Sequence, residues 1–191
     1  MIGNKRAGFT VIEMMVAITI FSTIAVIMAQ TFVSFNNLHR RIAFSAVLGQ
    51  DARFLNELLV RESRNKLIDY SAGTLPPVSN TLSLISRDGT QTAQFSIQTA
   101  ASGNCGTSGV NCIAFSNDAG ITWNQITSNK VDVQQFDIIV RPSTDPFNVL
   151  TPGNVQPFVT VVVTLQYKSD NPEERQSLQT QTTVASRVYL R

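Results

Sequence analysis

The run FTVIEMMVAITIFSTIAVIMA, Phe9 to Ala29, holds twenty-one residues and a single charged side chain, Glu13. At 1.5 Å per residue this makes about 31 Å of helix, close to the ~30 Å hydrocarbon core of a bilayer. Such a stretch fits a membrane span better than a small soluble core. Lys5 and Arg6 precede it, and the charge asymmetry predicts a cytoplasmic N-terminus with the rest of the chain outside. A removable secretory signal would have a shorter apolar core followed by a small-x-small cleavage site. Here Ile27, Met28 and Ala29 occupy that position, and they make a poor site. A plain anchor accounts for the length but not for Glu13. A carboxylate at membrane depth costs roughly 2.5 kcal/mol or more on insertion scales, and it calls for a partner.

The residues before the apolar run supply one. The stretch AGFTVIEMMVAITI, with its basic leader, closely resembles the type IV prepilin signal. That resemblance implies cleavage after Gly8 by a prepilin peptidase/methyltransferase, methylation of the new Phe9 amine, and a glutamate, Glu13, as fifth residue of the mature chain. It further implies that Glu13 of one subunit meets the Phe9 amine of a neighbour when apolar helices pack into a filament. Removing one member of such a buried pair is costly, so the pair would fix axial register. The competing reading is local: Glu13 favours its own helix N-terminus and reaches the headgroups. Glycine at position 8 suits a protease that must hold extended backbone closely.

Past Ala29 the pattern becomes amphipathic. Phe32, Phe35, Leu38 or His39, Ile42 and Ala46 recur at intervals of three and four, and Ala52, Leu55 and Leu59 continue a stripe. No proline precedes Pro76, whereas many major pilins carry one in this helix. The sequence therefore predicts one helix from about Phe9 to about Asp69, with Gly49 and Ser22-Thr23 as the bend points. His39 reads as a solvated helix residue beside Arg40 and Arg41.

SAGTLPPVSN (71–80) reads as the linker that ends this helix. Beyond it the period falls to two. Leu82 and Leu84, Phe95 and Ile97, Val131 to Val140 with a bulge near Gln135, Val159 to Tyr167, and Ser177 to Leu190 read as strands. About seven strands after one helix predict an α+β fold, a long helix on one face of an antiparallel sheet or meander. The organisation is a removable leader (1–8), a long helix (9–70) with a membrane or filament-core part (9–29), and an extracytoplasmic β-rich domain (71–191).

Chemistry is sparse. Charged residues are 15% of the chain, net charge is +2, and there is one histidine, so neither a nucleic-acid surface nor a metal or nucleophile–base set is indicated. No cofactor and no enzymatic activity are expected. Cys105 and Cys112 would lie in an oxidising compartment once exported, where a disulfide between them is expected. The loops around Asp118 and Asp145 show no EF-hand ligand series, and turn formation explains their aspartates.

The expected function is that of a structural subunit, a minor pilin or J-type pseudopilin. DARFLNELLVRESRNKL and SLQTQTTVASRVYLR are similar to such proteins. The implied partners are the prepilin peptidase/methyltransferase, other pilin or pseudopilin subunits, an inner-membrane assembly platform, and the membrane before assembly. The alternative is a membrane-anchored extracytoplasmic binding protein or adhesin that never polymerises.

Overall fold

The computed structural model describes residues 8–106, 109–147, 155–169, 172 and 175–186. The chain falls into two units, Met1–Ile42 and Ala43–Arg191. Helix α1 is Val11–Asn65, followed by β1 (Leu67–Ile68), β2 (Thr81–Ile85), β3 (Thr92–Gln98) and β4 (Cys112–Ser116). Then come β5 (Asn124–Gln125), β6 (Val131–Arg141), β7 (Phe158–Tyr167) and β8 (Ser177–Ala185).

In the first unit α1 presents apolar side chains on every face, and Phe21, Met28, Phe32 and Phe35 are all more than half exposed. The helix is long and apolar enough to cross a membrane. Three of its threonine hydroxyls are satisfied within the helix, as a lipid surround favours. Thr19, Thr23 and Thr31 donate to the carbonyls of Val16, Ile20 and Ile27, each at 2.8 Å.

In the second unit the same helix becomes amphipathic. Leu48, Ala52, Leu55 and Leu59, spaced by four, three and four residues, are buried and join one apolar cluster with strands from both sheets. Phe32, Phe35, Leu38 and Ile42, the earlier members of the predicted stripe, remain exposed. Asp51 ties the helix to the turn before β6, accepting from the Ser128 N–H at 2.8 Å.

The helix ends at Asn65 rather than near Asp69. Lys66 N–H closes the last turn on the Glu62 carbonyl at 2.9 Å. Leu67 and Ile68 then leave to pair with Ile85 and Leu84 as an edge strand, which buries Ile68. Strand pairing with side-chain burial outweighs the weak propensity for one more helical turn.

The α+β arrangement is as expected, but the strands form two antiparallel sheets rather than one. One has the order β1-β2-β3-β4-β5, the other β6-β7-β8. The bulge falls between Val133 and Gln135. It shifts the alternation by one residue, so Val131 and Val133 before it and Phe136, Ile138 and Val140 after it all face the core. Ser79 joins the sheets through reciprocal backbone bonds with Ile138 of 2.9 and 2.8 Å. The last strand reaches Ala185, and residues 187–190 of the predicted run lie outside the described residues.

Candidate functional site

Gly8, Phe9 and Glu13, the residues expected to be processed and to take part in assembly, lie at the start of α1. Gly8, Phe9 and Thr10 precede the helix and are exposed, with Phe9 at 85%. A Cβ added at Gly8 would meet nothing within 4 Å. The leader residues 1–7 lie outside the described residues.

Thr10 is the N-cap, and sequence reasoning missed it. Its N–H and its hydroxyl both donate to Glu13 Oε2, at 2.9 and 3.0 Å. In return the Glu13 N–H donates to Thr10 Oγ1 at 3.4 Å. This is the reciprocal capping box of the pattern S/T-x-x-E, and T-V-I-E at residues 10–13 was the signal that could have revealed it. The arrangement supplies two donors to one carboxylate oxygen and places the negative charge at the positive end of the helix dipole.

The geometry shows that the two roles considered for Glu13 are compatible. The local cap occupies Oε2, while Oε1 accepts no hydrogen bond among the described residues, so one oxygen is left for an external cation. Cleavage after Gly8 would convert only the Phe9 nitrogen to an amine. The Thr10 N–H is a peptide group before and after, so the cap does not depend on processing.

Cys105 and Cys112 are joined in a disulfide with Cα atoms 5.8 Å apart. Cys112 opens β4 opposite Gln98 of β3, and both cysteines are buried. Beside them the Gly106 N–H donates to Gln125 Oε1 at 2.7 Å, fastening the loop to β5. In the chain-entropy estimate so short a loop contributes about 2.5 kcal/mol. Cys105→Ser should therefore lower the unfolding free energy of the β-rich unit by about that amount in denaturant titration, with membrane association unchanged.

The two aspartate loops are built as turns. Asp118 Oδ1 accepts from the Ser116 hydroxyl at 2.7 Å and the Thr122 N–H at 2.9 Å. Bonding to the Thr122 hydroxyl and N–H, together with the Ser116 hydroxyl, holds its carboxyl down at about 2. Asp145 Oδ1 accepts from the Phe147 N–H at 2.9 Å. Nearby, the Tyr70 hydroxyl donates to the Pro142 carbonyl at 3.0 Å, and burial with the Asp145 charge pushes its pKa up to about 12. His39 is exposed on α1 and stacks on Phe35 with ring centroids 6.3 Å apart.

Residues 3–29 match the prokaryotic N-terminal methylation motif, which is the type IV prepilin signal. That signal implies a prepilin peptidase and other pilin-like subunits as partners. Nothing among curated proteins or solved structures matches the chain significantly.

Proposed function

We propose that this type IV pilin-like chain is a minor pilin or pseudopilin, a structural subunit of a pilus-like filament or of a secretion or DNA-uptake pseudopilus. It is not an enzyme. It is inserted with its N-terminus in the cytoplasm and its β-rich part outside, cut after Gly8, and methylated on Phe9. An inner-membrane assembly platform then transfers the apolar helix from lipid into a fibre core. The observation that carries this reading is the methylation motif over residues 3–29 on a helix whose apolar surface is exposed throughout its first unit.

Glu13 tests the assembly step. Gln, like Glu, can close a capping box, so Glu13→Gln keeps the acceptor for the Thr10 N–H and deletes only the charge. Membrane insertion should be unchanged or slightly better, because an acid at membrane depth is removed. Incorporation should fall, because a neighbour's amine would be left unpaired in an apolar surround, at a cost of about 3–5 kcal/mol. The readout is the ratio of subunit in sheared filaments to subunit in membranes. An unchanged ratio would assign Glu13 to helix capping alone. A processed chain that is never recovered in filaments would favour the non-polymerising anchored binding protein or adhesin.

A further inference from the structure

Beside Tyr70 the second unit holds a pocket of about 280 Å³. It is lined by Leu67 and Ile85, cross-strand partners on β1 and β2, by Phe147 and Pro157, and by Tyr70 and Asp145. Ser71 and Ser186 add neutral hydroxyls to this lining and no charge. The pocket lies wholly within the β-rich unit, far along the chain from the residues of the N-terminal signal.

Asp145 is the one charged residue of this lining, and no cation pairs with it among the described residues. Its Oδ1 accepts from the Phe147 N–H at 2.9 Å, while Oδ2 accepts no hydrogen bond among the described residues. The Tyr70 hydroxyl is committed as a donor to the Pro142 carbonyl at 3.0 Å. Burial, and then the Asp145 charge, raise Tyr70 to about 12, so its hydroxyl keeps that proton at neutral pH. The phenol oxygen and the second carboxylate oxygen are therefore left as acceptors beside apolar surface. A partly buried carboxylate without a counter-ion costs free energy, and a cationic guest relieves that cost.

We propose that this pocket binds a primary alkylammonium group, its nitrogen donating to Asp145 Oδ2 and the Tyr70 oxygen, its carbon chain resting on Leu67, Ile85 and Pro157. Charge complementarity selects a cation, and the remaining chemistry narrows which one. A bare divalent cation needs several oxygen ligands, and no group of three metal-ligating side chains occurs among the described residues. A guanidinium is held best by both carboxylate oxygens at once, and Oδ1 is already engaged by the Phe147 N–H. An ammonium needs only the oxygen that is left. The rings of Tyr70 and Phe147 add surface that attracts a partly desolvated cation. The volume lies just below the ~300–1,000 Å³ of sites for drug-sized ligands, so the guest is a short chain. A free amine and a lysine side chain both present this chemistry. The inference does not depend on filament assembly.

The test uses full-length protein in micelles of an uncharged detergent, with isoleucine methyl groups labelled for NMR. Pentylammonium should shift the Ile68 and Ile85 signals saturably, with a Kd on the order of a millimolar. Pentanol, the same chain without the charge, should bind about tenfold more weakly or worse. Asp145→Asn keeps the shape and the acceptor for the Phe147 N–H, so pentylammonium affinity should fall about tenfold or more while the thermal midpoint holds. Tyr70→Phe should weaken binding less, since it removes a neutral acceptor. The pentanol comparison needs wild-type protein alone and stands whether or not a variant folds. N-acetyl-lysine amide separates the two sources. Binding equal to that of pentylammonium supports the site as a receptor for another protein's lysine, and much weaker binding supports it as a site for a free amine. Equal binding of pentanol, unchanged affinity in Asp145→Asn, or no saturable shift up to roughly 100 mM pentylammonium would overturn the proposal.

Discussion

Gly8→Leu should leave nearly all of the protein as uncut precursor in the membrane. The substitution costs the chain itself nothing visible, since a Cβ at position 8 would meet no atom within 4 Å and the residue precedes the helix. Any loss therefore belongs to the encounter with the peptidase. A glycine lets the enzyme close on the extended backbone, and a branched side chain would move the scissile bond. Displacing a reacting bond by about 1 Å can cost on the order of a hundredfold in rate, enough to make processing invisible over a growth period. Pulse-chase immunoblotting would follow the shift from precursor to mature chain. Normal conversion of the leucine variant would mean that Gly8 is an incidental loop residue. Thermal unfolding of the β-rich unit should match the wild type, which separates a recognition defect from a folding one.

Leu55→Ala should have the largest effect on the fold. Leu55 is fully buried and stands in the stripe with Leu48, Ala52 and Leu59 that holds α1 to the strands. A Leu→Ala change in a closed core costs about 2–5 kcal/mol, because the transfer energy and the residual cavity add. For a unit of this size each kcal/mol lowers the thermal midpoint by about 2–4 °C, so a drop on the order of 10 °C is expected. Cleavage after Gly8 should be untouched, since Gly8 and Phe9 lie in the other unit. Scanning calorimetry of purified protein measures the first quantity and immunoblotting the second. A midpoint within a degree of wild type would mean that the helix is not part of the core.

What could be read in the sequence followed from where its periodicity was clean. Val159, Val161, Val163 and Leu165 alternate without a break and form β7, and the phase change near Gln135 is a real bulge. β4 was missed because CIAFS has no alternation. Four of its five residues are buried, since it lies between β3 and β5 and under the core. β1 and β5 were missed because two residues carry no period. The helix end was misplaced because Leu67 and Ile68 continue an apolar pattern, and only their partners on β2 decide against it. At the N-terminus Gly8, Phe9 and Glu13 fall within residues 3–29, which match the N-terminal methylation motif. Thr10 was overlooked because threonine is unremarkable in an apolar run until its distance of three from an acid is counted. Its two bonds to Glu13 satisfy one oxygen of a carboxylate that lies at the start of an apolar helix.

Intact mass spectrometry of the protein recovered from membranes tests the central claim most directly. The recovered chain should begin at Phe9, lack residues 1–8, be heavier by one methyl group located on the terminal amine by fragmentation, and have Cys105 and Cys112 joined. A chain that retains Met1, or one that begins at Gln30 after the apolar run, would contradict it.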